Sequence, residues 1–487
     1  MPGKPDEKKV TPRSEDFAAW YNDIVQRAEL ADYSPVRGCI VIRPDGFAIW
    51  EALQRELDAR IKRTGARNAY FPLFIPMSFL KKEAQHVEGF APEVAVVTHG
   101  GGKELEEPLA VRPTSEMIIN HMFAQWIKSH RDLPMMVNQW CNVVRWEMST
   151  RLFLRTAEFL WQEGHTAHAT REEAERETLT MLEVYRGFVE DYLAIPLVVG
   201  RKSAAERFPG ALETYAIEGL MGDGRALQCG TSHFLGQTFA KAFETRYLDD
   251  QNQLQYVWQS SWGVSTRLLG AIVMVHGDDQ GLRLPPAVAS TQAVVVPIWR
   301  KAGEGEPVMA AARAAFDALT NAGIRAHLDE REGVTPGFKF NDWEMRGVPV
   351  RIEIGPRDVA SGSAVLARRD KSGPEAKSKA PLASIADAVK ALLDEIQKNL
   401  FAQAKAARDA NTRSFDDYAA FKKQMEGEGG GGFAQVWWCG NPACETKIRE
   451  ETKATCRAIP LNQSGPAGKC LVCGEPASER AFFAKAY

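Results

Sequence analysis

Two pairs of cysteines near the C-terminus constrain the fold more than any other feature of this sequence. Cys439 and Cys444 are spaced C-x4-C, and Cys470 and Cys473 are spaced C-x2-C. Two close pairs separated by a long loop match the ligand spacing of a structural zinc site, in which tetrahedral Zn²⁺ takes four thiolates and keeps no open position. The C-terminal segment must then fold around one point. The competing reading is a set of reduced thiols that bind nothing. Cys456, between the pairs, reads as a buried free thiol rather than a fifth ligand. The N-terminal stretch MPGKPDEKKVTPRSEDF is polar and has no apolar leader. No apolar run approaches the ~18 residues of a membrane span. The chain is therefore expected in the cytosol, where clustered thiols read as metal ligands before disulfides.

With 487 residues, roughly three domains are expected. Two low-complexity stretches, DKSGPEAKSKAP (370–381) and GEGGGG (427–432), read as flexible connections. In the first part of the chain, Trp50, Leu53, Leu57 and Ile61 recur at helical spacing until Gly65 stops the helix. The run AYFPLFI (69–75) reads as a strand that Pro72 distorts or confines to an edge. From about residue 289, AVVVPIW, a helix over 309–322, IRAHLD, a helix-like segment and VPVRIEI alternate. That alternation predicts a small α/β unit with a mostly parallel sheet. Residues 382–427 read as helical and charged. The net charge of −3 gives no reason to expect a nucleic-acid partner, whose usual footprint is a strongly basic domain.

Four segments could carry chemistry. MMVNQWCNVVRWE reads as a strand ending in Arg145 and Glu147, two apart and so on one face. It is followed by EFLWQEGH (158–165), where period 2 puts Phe159, Trp161, Glu163 and His165 in one row. Two aromatics, a carboxylate and an imidazole in one row suit a binding face; a half-wet hairpin with a chance charge pair is the plain alternative. In RPTSE (112–116), Thr114 or Ser115 could simply cap a helix, with Glu116 favoured in its first turn. QCGTSH (228–233) could be a turn. Arg267 precedes an apolar helical run (268–275), so it either faces a pocket or is a surface charge.

In their order and spacing these segments resemble a class II aminoacyl-tRNA synthetase, most closely the prolyl-tRNA synthetases of the archaeal or eukaryote-like form. The resemblance runs from about residue 17 to 487. It is carried by GCIVIRPDGFAIWE, NAYFPLFIP, VRPTSE, RTAEFLWQEGHTAHAT, QCGTSHFLGQTF, SSWGVSTR, HGDDQGLRLPP, GVPVRIEIGPRD and FAKAY. It implies an α+β protein: an antiparallel-sheet class II catalytic domain (1–288), an α/β anticodon-binding domain (289–372) and a C-terminal α/β zinc-binding domain (373–487). The implied activity is ATP-dependent attachment of proline to tRNA(Pro) by a homodimer, with Mg²⁺ beside ATP and a structural Zn²⁺ on the four cysteines. The helix through Trp50 and Leu57, followed by Pro72, would form the dimer interface.

The family's residue roles map onto this chain position by position. Arg145 and Arg267 become the catalytic arginines, on the α- and γ-phosphates of ATP. Phe159 lies under the adenine and Glu147 meets its amino group. Thr156, Gln228, Thr231 and Ser265 are further ATP contacts. Thr114 and Glu116 receive the proline amine. Arg145, Trp161, Glu163, His165 and His233 complete the proline pocket. Arg351, Glu353 and Arg357 are candidates for the two guanines that proline anticodons share, since Arg reads guanine O6 and N7 and a carboxylate accepts from its N–H donors. For each of these three the alternative is a solvated sheet edge. Tyr487 would reach back towards the active site. Leu152 stands where the family has proline, which predicts a looser loop, and Thr266 stands where class II patterns have Glu. About 100 residues separate the two arginine motifs, too few for the editing insertion of bacterial-form relatives.

Three rivals remain at this level. A threonyl enzyme shares the TSE and WQEGH runs but holds a catalytic zinc in its core, for which no ligand set stands out here. A non-catalytic tRNA-binding relative would have no use for Arg145, Glu147 and Arg267. A zinc-ribbon interaction module would leave the upstream motifs without a role. The favoured reading requires Arg145, Arg267 and Glu116 to meet at one cavity.

Overall fold

The computed structural model describes residues 10–84, 94–147, 149–427, 429–463 and 467–487, with the side chains of residues 81–84 and 302 left out of the description. Its spine is one eleven-stranded sheet. The central strands are Leu197–Arg201, Glu213–Leu220, Ala226–Gly236, Trp258–Ser265, Glu158–His168 and Met135–Val144, in that spatial order and antiparallel throughout. Helices Phe17–Arg27, Pro44–Arg63, Arg171–Gly187 and Arg267–His276 cover one face through a core that includes Trp20, Trp50, Leu57, Tyr185 and Trp262. Burial of these large side chains, at roughly 25 cal/mol per Å² of apolar surface, holds the sheet to its helices. Gly164 shows how tight the layer is, because a Cβ there would lie 2.1 Å from the Trp262 ring. The opposite face of the same strands is left for side chains that line a cavity.

The stretch 69–75 is mostly irregular, and the short strand nearby is Phe74–Pro76. Pro72 has no N–H for a ladder, and the amide of Phe71 donates instead to the Gln139 side chain at 2.5 Å.

In the second unit Ala326–Leu328, Ala293–Pro297 and Val350–Ile354 are parallel, and Ser363–Arg368 and Lys377–Pro381 continue the sheet antiparallel. The mostly parallel expectation therefore holds for the first three strands only. The stretch read as a flexible connection, 370–381, supplies the fifth strand, with Ala380 buried. Helix Ile385–Ala410 buries Val389, Leu393, Ile396 and Leu400 in the same core. A boundary at 372/373 thus cuts through this unit, because the charged character of 370–381 reflects one exposed sheet edge rather than a linker.

The C-terminal unit adds four strands to the central sheet. Thr455–Pro460 pairs with Leu197–Arg201 at Ile459–Arg201 and Pro460–Gly200, and Glu479–Ala484, Phe433–Trp438 and Thr412–Phe415 follow. The glycine run before Phe433 is packed rather than loose. Gly430 and Gly432 donate their amides to the carbonyls of Asp223 and Gly224 at 2.7 and 3.0 Å. A Cβ on Gly430 would fall 2.2 Å from the Gly224 backbone, so glycine here allows two backbones to meet. Among the described residues no helix is long and apolar enough to cross a membrane.

Candidate active site

The exposed face of the central strands carries a cavity of about 270 Å³. Arg145, Arg267 and Glu116 all line it, as the sequence reading requires. Arg145 lies just beyond the end of strand Met135–Val144, and its guanidinium sits 5.4 Å from the ring centres of both Phe159 and Trp161. Its Nε donates to the Pro113 carbonyl at 3.1 Å. Arg267 begins helix Arg267–His276 and donates through Nε to the Leu154 carbonyl at 3.2 Å. Neither arginine has a carboxylate in ion-pairing range among the described residues. Burial, and then the charge of Arg145, hold Arg267 below its ordinary pKa. The charges of Glu116, Glu163 and Glu147 act on Arg145 from a distance, but two cations outside any ion pair on one cavity wall suit an incoming anion.

The other end of the cavity is acidic and aromatic. Strand Glu158–His168 projects Phe159, Trp161, Glu163 and His165 into it, on the alternate positions expected of a strand. Glu163 accepts from Ser115 Oγ at 2.5 Å, Gln139 Nε2 at 2.9 Å and the Ser115 amide at 3.2 Å, and His165 Nε2 lies 3.1 Å away. Burial alone would raise the Glu163 pKa; the hydrogen bonds from His165, Ser115 and Gln139 outweigh it and hold the carboxyl below its usual range. His165 is the mirror case: burial opposes its charge, and the Glu163 hydrogen bond with the charges of Glu116 and Glu163 raise it. Ser115 is formally the helix N-cap, yet its hydroxyl serves Glu163 and not the helix. The capping alternative is thus right about position, with Ser115 at the N-cap and Glu116 in the first turn, but the Ser115 hydroxyl makes no cap bond. Glu116 is buried, takes a hydrogen bond from Thr114 and is raised chiefly by burial, against which the His165 charge acts. His233 contacts Thr214 Oγ1 at 3.0 Å, and burial with the charge of His165 pushes its pKa down to about 3, so the ring is neutral.

The segment 228–233 is part of strand Ala226–Gly236, not a turn. A register shift between Ile217 and Glu218 leaves Cys229 as the extra residue of a bulge, and the bulge aims Gln228, Gly230 and Thr231 at the cavity rim. Ser265 lines the cavity beside Arg267.

Two assigned residues lie outside the wall. Glu147 is not on a strand face with Arg145; both follow the strand's last residue, and Glu147 accepts from Arg155 Nε at 2.7 Å. Thr156 is buried and donates to the Glu158 carbonyl at 2.7 Å. Around Leu152 the segment is anchored: the side chain is fully buried and the carbonyl accepts from Tyr21 at 2.6 Å. A leucine at this position anchors through apolar burial where proline would act through its ring.

Several lining residues had no sequence signal. Phe208, in an irregular loop, packs on the His233 ring at 4.6 Å. Glu206 and Arg207 come from the same loop. Thr214 sits opposite His233 in the ladder, so strand alternation around His233 could have found it.

In the C-terminal unit the Sγ atoms of Cys439, Cys444, Cys470 and Cys473 all lie within 4.8 Å of one another. The Sγ separations from Cys439, 3.8 Å to Cys444 and 3.7 Å to Cys473, suit a tetrahedron with metal–sulfur bonds near 2.3 Å, whose edges are about 3.8 Å. Cys456 is buried apart from them. No other group of His, Cys, Asp and Glu among the described residues is close enough to hold a metal. Tyr487 donates to Asp223 Oδ2 at 2.6 Å, and its ring lies 5.3 Å from Arg151 of the loop between the two site strands and 5.6 Å from Arg225.

Known proteins resemble this chain over nearly its whole length. Models of the class II tRNA synthetase core domain (G, H, P, S and T), the anticodon binding domain and the prolyl-tRNA synthetase C-terminal domain match residues 97–276, 292–392 and 418–487. A proline–tRNA ligase of Roseiflexus sp. is 55% identical over 480 residues, covering 98% of this chain and 99% of its own. The chain belongs to the prolyl-tRNA synthetase family. The chloroplastic/mitochondrial member from Arabidopsis thaliana is also 55% identical, over 99% of this chain and 89% of its own. The crystal structure of the Cryptosporidium parvum synthetase, complexed with halofuginone and AMPPNP, superposes with a TM-score of 0.94 at 39% identity, covering 98% and 99% of the two chains. The threonyl and non-catalytic readings find no support in these relatives. Between the two arginine motifs, residues 169–257 build helices and strands of the same core, with no separate editing domain among them.

Proposed function

We propose that the cavity activates L-proline with magnesium-complexed ATP and passes the prolyl group to tRNA(Pro). The observation that carries this reading is the pairing of two acid-free arginines with a buried carboxylate across one cavity. In the first step a proline carboxylate oxygen attacks the α-phosphorus in line, and pyrophosphate leaves. The planar fork of Arg145 spans the carboxylate and the α-phosphate, which a lysine could not do. Arg267 neutralises the γ-phosphate. Such prepositioned charge, acting where negative charge spreads, is the main source of rate in a step that needs no covalent enzyme intermediate. Phe159 underlies the adenine, with Gln228, Thr231 and Ser265 around the nucleotide. Glu147 meets the adenine amino group by exchanging Arg155 for it, while Thr156 supports the loop from behind.

The secondary ammonium of proline has two N–H donors and needs acceptors. Glu116 and Thr114 supply them, and the incoming cation neutralises a carboxylate that burial otherwise disfavours. Glu163 holds His165, while Trp161 and neutral His233 wall the ring. Arg351 borders a second cavity, of about 220 Å³, in the α/β unit; in this reading Arg351, its ion-pair partner Glu353 and exposed Arg357 read guanine edges. The four cysteines hold Zn²⁺, which fixes the C-terminal unit. The exposed rings of Tyr70, Phe74 and Trp126 flank the segment after helix Pro44–Arg63 and support a homodimer. The reaction takes place in the cytosol.

Proline-dependent ATP–pyrophosphate exchange, with all twenty amino acids compared, tests the reading. Proline should dominate. Alanine should give weak exchange, because a missing methylene costs only about 1–3 kcal/mol of discrimination. Exchange driven by threonine in place of proline would overturn the assignment.

A further inference from the structure

The loop that forms the wall opposite Trp161 is held from outside the catalytic unit. Glu206, Arg207 and Phe208 line the cavity, and two alanines separate them from Lys202 and Ser203, which are almost fully buried. Ser203 Oγ donates to Glu445 Oε1 at 2.6 Å. Glu445 belongs to helix Pro442–Thr452 of the C-terminal unit and adjoins Cys444 of the cysteine cluster. A second clasp lies beside the first. Arg457, on strand Thr455–Pro460, grips Glu218 through Nε and Nη2 at 2.9–3.1 Å. Lys202 Nζ completes the triad at 2.7 Å from Glu218, and Arg457 also reaches Glu206 at 3.9 Å. Glu218 is the strand partner of Gln228 at the bulge that shapes the cavity rim.

A buried triad of this kind adds little net stability, because desolvation offsets much of the Coulomb gain. Its geometry is nevertheless stringent, since each member is costly to leave unpaired. The clasps therefore fix position: they tie the loop and the bulge to a body that the four cysteines assemble.

We propose that Glu445 and Arg457 are positioning residues for the amino-acid end of the cavity, acting through Ser203, Glu206 and Glu218 on the Phe208 wall. The inference rests on the proline reading above. It predicts that loss of the Glu445–Ser203 clasp weakens proline binding more than ATP binding, because Arg145, Phe159 and Arg267 are held by other elements, whereas loss of Arg457 raises both KM values, because Glu218 is the strand partner of Gln228.

The test compares Glu445→Ala, Glu445→Gln, Ser203→Ala and Arg457→Met in the full-length protein. In Glu445→Ala and Ser203→Ala the proline KM should rise about tenfold, as when a charge-assisted hydrogen bond is lost, with the ATP KM within about twofold of the parent. Glu445→Gln keeps an acceptor for Ser203 and should restore the proline KM. Backbone amides of residues 204–208 should exchange hydrogen faster in Glu445→Ala. If Glu445→Ala fails to fold, Ser203→Ala decides alone. Unchanged proline KM and amide exchange in the folded variants would overturn the inference, as would equal rises in both KM values in Glu445→Ala or Ser203→Ala. A parent enzyme without proline-dependent exchange would instead sink the functional reading, and the amide exchange would still judge the clasps.

Discussion

In the central cavity the guanidinium groups of Arg145 and Arg267 donate to backbone carbonyls. In the α/β unit Arg351 is held by Glu344 at 2.7 Å and Glu353 at 3.0 Å, lies 4.0 Å from the Phe340 ring centre, and shares Glu353 with Lys377. Both sets of arginines border cavities. The first set has its charge open to a ligand; the second already has its charge satisfied within the protein. The contrast assigns different costs to the two sites. An open arginine is costly to the protein by itself and is available to an incoming anion. A paired arginine stabilises the protein by itself, and any incoming group must exchange with its partners.

The sharpest way to break the comparison is Arg145→Ala or Arg267→Ala. Each should slow proline-dependent pyrophosphate exchange about a thousandfold, roughly 4 kcal/mol, with thermal stability unchanged or raised. A large fall in Tm instead would show that these arginines are structural. Arg351→Met should do the reverse. It strands Glu353 beside Lys377 alone and should cost about 2 kcal/mol of stability, read by denaturant unfolding, while pyrophosphate exchange stays near the parent rate and aminoacylation of tRNA falls. Deleting Tyr487 removes two ring–guanidinium contacts and should lower aminoacylation about fivefold; parent kinetics would leave that contact without a role.

The smallest effect is a titration. His165 is raised above its ordinary value and Glu163 is lowered, so their pair contributes fully between the unfolded carboxylate and imidazole pKa values, about 4.3 and 6.5. That stability is lost as pH rises through the raised His165 pKa, and on the acid side as pH falls through the lowered Glu163 pKa. In Glu163→Gln burial should prevail and carry the His165 pKa below 6.5. Imidazole NMR titration reads both, and an unmoved His165 would show that Glu163 does not set its charge.

The alternation of Phe159, Trp161, Glu163 and His165 could be read from the sequence because strand periodicity is local and each residue names its own face. The cysteine spacing was equally legible, since short chain segments fix ligand distances. Periodicity failed at Arg145–Glu147, where the strand had ended, and at 370–381, where an exposed edge strand carries the composition of a linker. For Leu152 the residue type suggested looseness, and burial against Tyr21 gave the opposite.

The sequence by itself determined which residue types face the same way along a strand, which thiols can share a metal, and which family the motifs resemble. Only the tertiary structure decided that the Arg145 and Arg267 guanidinium groups stay outside ion pairs while Arg351 is paired, and that Phe208 lines the cavity while Glu445 bonds Ser203 of the same segment. The physical reason is that pairing and burial depend on groups brought from distant parts of the chain, and no local pattern records who those neighbours are.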